Sequence, residues 1–148
     1  MTQLHLCGPE DAEKLMPLVA AFHAEQGLET DDAQRDRALR PLLEGTPLGA
    51  VWLLGPRRAP VGYVAVSFGW AVRTGGINGF LDELFVRPAV RGRGLATEAL
   101  NDLATALRGA GVTALHLEVD RENETVQRFY GRAGFVLRGR NALMSRRL

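Results

Sequence analysis

The apolar positions along the first third of the chain predict one short strand and two helices. Apolar and polar residues alternate from Leu4 to Gly8, which predicts a first strand. Apolar residues then recur at helical spacing up to Gly27, where that helix is expected to end. A second helix is predicted from Asp31, a good capping residue, with Pro41 as its expected kink or end.

The middle of the chain predicts three consecutive strands, and the period then changes to helical. The strands are GAVWLLG, PVGYVAVSFGWAV and NGFLDELFVRP, the last closed by Pro88. From Gly92 an apolar stripe at helical spacing predicts a long helix. The sequence ALHLEV then predicts a strand, NETVQRFYGRAGF a short helix, and FVLRGRNALMSRRL a final hairpin or strand pair. This element order predicts an α/β protein with a mixed sheet.

Composition limits the chain to one ordinary globular domain, residues 1–148. Hydrophobic residues make up 46% and charged residues 24%, enough apolar material for a single core. The formal net charge of +1 gives no global argument for binding nucleic acid or an anionic membrane. The longest apolar runs are too short to span a bilayer, and the single cysteine, Cys7, suits a reducing compartment. We therefore expect a soluble cytoplasmic protein.

The stretch RPAVRGRGLATEAL, from Arg87 to Leu100, lies where a strand ends and a helix begins. Its glycines allow a sharp turn, and the helix N-terminus together with the arginines favours a bound anion such as a pyrophosphate. The alternative is a solvated basic turn. The stretch is neither a P-loop nor a dinucleotide fingerprint, because Thr97 stands where the latter has its last glycine.

Two motifs in this region resemble those of the GNAT family of N-acetyltransferases. Arg91 to Ala96 matches the family's acetyl-CoA signature Q/R-x-x-G-x-G/A, and NETVQRFYGRAGF is similar to its motif N-x-x-A-x-x-F-Y-x-x-x-G-F, with Val126 in place of alanine. The resemblance covers roughly Phe80 to Phe135. It implies a mixed, mostly antiparallel central sheet flanked by helices, with splayed central strands that bind the cofactor.

The resemblance also implies acetyl-CoA as cofactor, CoA as product and a set of residues that bind it. The signature turn, continued by one residue, would hold the pyrophosphate, and the strand before it would pair with the pantetheine arm. Asn123 would lie near the cofactor. The residues concerned are Leu84, Phe85, Val86, Arg91, Gly92, Arg93, Gly94, Leu95, Ala96, Thr97 and Asn123.

Acetyl transfer to an amine requires a base for the amine and a proton for the departing thiolate. The resemblance assigns the acid to Tyr130, whose alternative role is to anchor its helix, a task that Phe129 can also perform. The adjacent carboxylates Asp82 and Glu83 are the candidate bases, with Glu83 preferred. Successive strand residues point to opposite faces, so only one of the two is expected to face the substrate. The alternative is a capping carboxylate or an ion pair with Arg87 or Arg91.

The remaining polar candidates carry less weight. His23 falls on the apolar face of the first helix and His116 within a strand, where packing or surface roles are expected. Glu118 is either a cleft residue or an ordinary strand end. No cluster has metal-ligand spacing, so we expect no metal site. Five further residues either line the pocket for the acceptor amine or have structural roles in the core and in a helix cap. They are Glu29, Asp31, Asp32, Phe68 and Trp70.

The predicted reaction is direct attack of a primary amine on acetyl-CoA in a ternary complex. Acidic pairs like Asp82 and Glu83 occur in relatives that act on polyamines, and the expected acceptor is a small cationic amine or an amino-acid-like molecule. A peptide N-terminus, a protein lysine and a non-catalytic CoA-binding regulatory module are the alternatives. A nucleic-acid role for the four arginines between Arg138 and Arg147 lacks an accompanying aromatic motif. Members of the family frequently form dimers, which makes a homodimer the alternative to a monomer.

Overall fold

The computed structural model describes residues 3–148 and divides them into two compact units. The N-terminal unit extends to Leu117 and the C-terminal unit comprises Glu118–Leu148. The N-terminal unit contains, in chain order, β1 (Leu4–Leu6), α1 (Ala12–Glu25), α2 (Asp32–Leu43), β2 (Gly49–Leu54), β3 (Gly62–Ala71), β4 (Gly76–Val86), α3 (Leu95–Gly109) and β5 (Val112–His116). The C-terminal unit contains α4 (Glu124–Arg132). Short 3₁₀ turns lie at Pro9–Asp11 and Pro88–Val90.

The five strands form one sheet in chain order. Each neighbouring pair is antiparallel except β4 and β5, which are parallel and are joined by the crossover helix α3. The predicted α/β class with a mixed, mostly antiparallel sheet is confirmed. No helix within residues 3–148 is both long and apolar enough to cross a membrane.

Local signals in the sequence explain where α2 begins. Asp31 Oδ1 accepts a hydrogen bond from the Gln34 amide at 2.7 Å, and the Gln34 side chain accepts one from the Asp31 amide at 2.8 Å. This reciprocal pair is a capping box. Pro41 does not end the helix, which continues to Leu43. Proline cannot donate the helical amide bond at this position, and only two residues of α2 follow it.

The alternation of the strands supplies apolar side chains to both faces of the sheet. On one face Val51, Leu53, Tyr63, Ala65 and Phe85 pack with buried residues of α1 and α2 in one cluster. The neighbouring Val64 and Val66 are also buried, and alternation directs them to the opposite face. Helix α3 contacts β4 and β5 and buries Ala99, Leu100, Leu103 and Leu107.

Cys7 follows β1 and lies in the cluster that the sheet forms with α1 and α2. It is 7% exposed, and its amide donates to the Val51 carbonyl at 2.9 Å. Burial, with a smaller contribution from the charge of Asp11, raises the pKa of the thiol to about 12. The side chain is therefore an unreactive core residue in the folded protein.

The predicted final hairpin is wrong, because no strand occurs after Gly134 in the C-terminal unit. Val136, Leu137, Leu143 and Met144 are all exposed. A hairpin needs paired neighbours and a covered apolar face, and these exposed residues have neither. The strand predicted as ALHLEV is also displaced: β5 ends at His116, so Glu118 follows the strand instead of ending it.

Gly62 is required by the close pairing of β3 with β4. It lies opposite Val86, and a Cβ there would collide with the Phe85 carbonyl oxygen. We expect Gly62→Ala to lower the free energy of unfolding by about 1–3 kcal/mol, since one strand must shift. Urea unfolding followed by circular dichroism measures this change.

Gly69 provides the matched control for Gly62 on the same strand. It is exposed, and a Cβ there would meet nothing within 4 Å. Gly69→Ala is expected to leave stability unchanged or to raise it by about 0.4–1 kcal/mol, because alanine restricts the unfolded chain. Equal destabilisation by both substitutions would show that the contact with Phe85 is not the cause.

Candidate active site

The strands β4 and β5 separate halfway along β4. Their parallel pairing joins Ile77–Phe80 to Val112–His116 and ends there. Beyond Phe80, β4 keeps β3 on one side, while no described strand pairs with its other edge. Leu84, Phe85 and Val86 lie in this open stretch. Such an edge can accept an extended molecule as an additional strand.

A β-bulge lies at the point where β4 leaves β5. Ala65 of β3 pairs with Glu83 and Val66 pairs with Leu81, which leaves Asp82 as the extra residue. A bulge bends its strand and changes the direction of neighbouring side chains. Glu83 consequently shares a face with Ala65 and Tyr63, the face covered by α1, while Asp82 is exposed.

Both carboxylate oxygens of Glu83 form hydrogen bonds. The hydroxyl of Tyr63 donates to Oε1 at 2.8 Å, and His23 Nε2 lies 2.7 Å from Oε2. The Glu83 side chain keeps 22% of its surface exposed. Burial, reinforced by the charge of Glu83 and by the hydrogen bond, raises the pKa of Tyr63, so its hydroxyl remains a donor. The interpretation of Glu83 as an ion-pair partner of Arg87 or Arg91 is not what the structure shows.

Asp82 has a different environment from its neighbour. Partial desolvation is the largest cause that raises its pKa, and the nearby charge of Glu83 adds to it. A hydrogen bond with Ser67 acts in the opposite direction. The exposed carboxyl can therefore contact a solute directly, whereas Glu83 is held by two protein side chains.

The turn between β4 and α3 has the backbone that its glycines require. Gly92 has a φ of 79° and Gly94 a φ of 77°, in the left-handed region that other residues rarely adopt. Gly94 is the N-cap of α3 and, as a glycine, has no side chain of its own to cap that helix end. The first amides of a helix have no acceptor within the helix, and its dipole is positive there. This end of α3 is therefore suited to an anion.

Arg91 and Arg93, the two arginines of the turn, have different environments. Arg91 donates from Nε to the Val86 carbonyl at 2.8 Å and pairs with Glu25 of α1 at 2.6 Å. Its guanidinium lies 5.5 Å from the centre of the Phe85 ring, within cation–π range. Arg93 is exposed. One arginine thus connects the turn to α1, and the other extends into solvent.

The second motif forms α4 in the C-terminal unit. Asn123 caps this helix, because its Oδ1 accepts a hydrogen bond from the Val126 amide at 3.1 Å. Tyr130 lies between two rings in edge-to-face contacts, with centroid distances of 4.9 Å to Phe129 and 5.7 Å to Phe135. Burial raises the pKa of Tyr130. Its hydroxyl therefore keeps its proton at neutral pH.

Most of the remaining candidates have local roles. Asp31 caps α2, and Asp32 pairs with Arg35 at 2.6 Å. Phe68 and Trp70 line an apolar cavity of about 370 Å³, which is bounded by the C-terminal end of α3 through Leu107. The signature turn lies at the other end of that helix, so the two aromatics are not beside it. Glu29 is exposed. In residues 3–148 no group of acidic, His or Cys side chains is placed to hold a metal ion.

The partners of Glu83 are not apparent from the sequence pattern. His23 was expected to pack on the apolar face of α1; it is indeed 8% exposed, yet both ring nitrogens have polar partners. Tyr63 was read only as a strand residue. The signal available in the sequence was a titratable ring on an otherwise apolar helix face, but its partner is 60 positions away in the sequence.

One family is identified from the sequence by comparison with family models. The model of the Acetyltransferase (GNAT) family matches residues 14–135. The integron cassette protein HFX_CASS3, from the mobile metagenome of Cole Harbour Salt Marsh, is 34% identical with a TM-score of 0.85, over 97% of this chain and 90% of that chain. No curated protein sequence matches the chain.

Two more distant structures show the same fold. The aminoglycoside acetyltransferase meta-AAC0020 from an uncultured soil metagenomic sample, solved with trehalose, is 13% identical with a TM-score of 0.83, over 99% of this chain and 96% of that chain. The ribosomal-protein-alanine N-acetyltransferase from Brucella melitensis biovar Abortus 2308 is 19% identical with a TM-score of 0.76, over 98% and 99% of the two chains. Because the family model covers most of the chain, this chain belongs to the acetyltransferase (GNAT) family of enzymes.

Proposed function

We propose that this enzyme transfers an acetyl group from acetyl-CoA to the primary amine of a small cationic molecule, by direct attack in a ternary complex. The observation that carries the proposal is Glu83: a partly exposed carboxylate, fixed by two hydrogen bonds, next to the open edge of β4. GNAT enzymes typically use acetyl-CoA, and the residues around Glu83 are suited to it.

The chemistry of the donors around β4 and α3 fits the parts of acetyl-CoA. The open backbone edge at Leu84, Phe85 and Val86 suits the amide groups of the pantetheine arm. The N-terminus of α3, where the helix dipole is positive and the glycine turn leaves room for a ligand, suits the pyrophosphate. The turn and first helical residues proposed to hold it are Arg91, Gly92, Arg93, Gly94, Leu95, Ala96 and Thr97. In the C-terminal unit, the capping bond of Asn123 uses Oδ1, which leaves its amide nitrogen as the proposed donor to the cofactor.

Glu83 is proposed as the general base. A carboxylate oxygen has two lone pairs, so each oxygen of Glu83 keeps one after its bond to Tyr63 or His23. A lone pair on the exposed part of the group would accept the proton that the attacking amine loses. Asp82, exposed beside it, would attract the cationic acceptor and hold it. When bound, acetyl-CoA would supply the acetyl group as a thioester.

Tyr130 is proposed as the general acid for the departing thiolate. Its Oη–H retains its proton at neutral pH because burial raises the pKa. Phe129 and Phe135 contact the ring and restrict its orientation. The packing that raises the pKa of the Tyr130 hydroxyl would thereby also orient this hydroxyl for proton transfer.

The acceptor class is argued from charge. Asp82 and Glu83 place two acidic groups on consecutive residues of β4, and no ion pair among residues 3–148 joins either of them to an arginine. A compact cation carrying a primary amine would complement them. The fold relative named as an aminoglycoside acetyltransferase is compatible with such an acceptor. The relative named for ribosomal-protein alanine makes a protein N-terminus the second candidate.

The first experiment is a thiol-release assay with purified protein and acetyl-CoA. The panel of amines contains polyamines, aminoglycosides, amino-acid amides, peptides with free N-termini and lysine-containing peptides. We expect amine-dependent release of CoA, highest with the small polycationic amines. Calorimetric titration with acetyl-CoA is run in parallel. Turnover restricted to peptides would contradict the acceptor class, and absence of acetyl-CoA binding would contradict the proposal itself.

A further inference from the structure

A chain of hydrogen bonds connects Glu83 through His23 to Thr30 and Arg35. The last three residues have no role in the reaction as proposed above. His23 Nδ1 lies 2.9 Å from Thr30 Oγ1, and Nε2 lies 2.7 Å from Glu83 Oε2. Arg35 Nη1 donates to Thr30 Oγ1 at 2.9 Å and also to the Thr30 carbonyl. The imidazole is therefore held from both sides, by Thr30 in the loop before α2 and by Glu83 in β4.

The donors and acceptors of this chain fix its direction. A guanidinium has only donors, so the Thr30 oxygen accepts from Arg35. An ionised carboxylate has only acceptors, so Glu83 requires a donor at His23 Nε2. In a neutral imidazole Nδ1 is then the acceptor, and the Thr30 hydroxyl supplies the hydrogen. Each polar atom of the chain has a partner in this arrangement.

We propose that His23 is a positioning residue for the catalytic base, held by Thr30 and Arg35 as the Nε2–H tautomer that donates to Glu83. The proposal rests on the role proposed above for Glu83. It adds that orientation of the base depends on Thr30 in the loop before α2 and on Arg35 within that helix. His23 touches neither the acceptor nor acetyl-CoA in this role.

The effect is expected in the chemical step. A base must lie within hydrogen-bond reach of the proton it removes, and small displacements of a catalytic group lower rates strongly. Tyr63 alone fixes one oxygen of Glu83, around which the carboxylate can still rotate. The second bond, from His23, removes that freedom. Loss of His23 should therefore lower kcat and leave the binding of acetyl-CoA nearly unchanged.

The first test needs no activity. Long-range ¹H–¹⁵N spectra of the imidazole rings distinguish the two tautomers, and the His23→Gln variant identifies the His23 signals among the three histidines. The spectra are recorded at about pH 8, above the ordinary imidazole pKa of about 6.5. The ionisable groups around the ring are Glu83, Tyr63 and Arg35, the last paired with Asp32. We expect hydrogen on Nε2 and none on Nδ1; hydrogen on Nδ1 would overturn the proposal.

The second test compares a variant that keeps a donor with one that keeps only the packing. His23→Leu fills similar space without hydrogen bonds and is expected to lower kcat about tenfold, with the KM for acetyl-CoA unchanged within about twofold. His23→Gln retains a side-chain N–H and is expected to keep kcat within about threefold. Wild-type kcat in His23→Leu, or equal loss in both variants, would overturn the proposal.

A third variant covers the case in which His23→Leu does not fold. Thr30→Val has a nearly identical shape and lacks the hydroxyl that holds Nδ1. Its melting temperature is compared with that of the wild type, and kcat is expected to fall about threefold with an unchanged KM. An unaltered kcat in folded Thr30→Val would contradict the role of the loop. If the wild-type protein acetylates no amine, the proposed function fails. The tautomer measurement still tests the hydrogen bonds from Thr30 to His23 and from His23 to Glu83.

Discussion

Replacing Glu83 by glutamine is expected to lower kcat by about 10²–10³-fold, within the range for loss of a general base. Glutamine has nearly the same shape and can still accept a hydrogen bond from Tyr63, but its amide cannot take the proton of the amine. The affinity for acetyl-CoA should be kept, because the cofactor is proposed to contact the backbone of β4 and the turn. Steady-state kinetics with the best amine of the panel, together with calorimetry, measures both quantities.

Two other substitutions at acidic residues separate this effect from a general loss of negative charge. Asp82→Asn removes the exposed neighbouring carboxylate and is expected to raise the KM for a cationic acceptor more than it lowers kcat. Glu13→Gln removes an exposed charge on α1 and should change neither value. If Asp82→Asn caused the larger fall in kcat, the base would be Asp82, and Glu83 would serve only in the hydrogen-bond chain.

Replacing Tyr130 by phenylalanine is expected to lower kcat about tenfold or more, because the variant has no hydroxyl proton for the thiolate. The raised pKa of Tyr130 sets the sign of the pH dependence. The phenol is an acid in its protonated form, so wild-type kcat should be maintained as pH rises towards the ordinary tyrosine value of about 10 and should fall only above it. The variant should lack that alkaline decrease.

The packing around Tyr130 allows a sharp control. Phenylalanine preserves the edge-to-face contacts with Phe129 and Phe135, so the melting temperature should stay within a few degrees of the wild-type value. Phe129→Leu removes a ring and keeps the hydroxyl of Tyr130, so its main effect should be on stability. Wild-type kcat in Tyr130→Phe would make this residue an aromatic anchor of α4.

Features set by neighbouring residues were predictable from the sequence. The helical spacing before Gly27 and after Gly94 gave α1 and α3, and Asp31 with Gln34 explains the start of α2. The turn at Gly92 and Gly94 was also readable, because positive φ angles favour glycine. These features depend on contacts within a few residues, which a pattern can represent.

The environment of the proposed base was not predictable in the same way. The bulge at Asp82 depends on how β4 pairs with β3, and an alternating pattern contains no record of an extra residue. Simple alternation predicts that Asp82 and Glu83 take different faces of the strand, but it cannot say which face each would take. The bond between His23 and Glu83 joins α1 to β4 and exists only once both pack on the same face of the sheet. The final hairpin was predicted from the apolar residues after Gly134, but a strand also needs an element that covers its apolar face. In the structure these residues are exposed.

The buried thiol of Cys7 makes the protein suitable for the assay proposed for it. It is the single cysteine, and with a pKa of about 12 it reacts slowly with thiol reagents while folded. Colour from such a reagent during turnover therefore comes from released CoA. Without substrate, the slow labelling of Cys7 reports how often β1 and the adjoining core open. One chemical reagent thus measures catalysis in one experiment and local unfolding in the other.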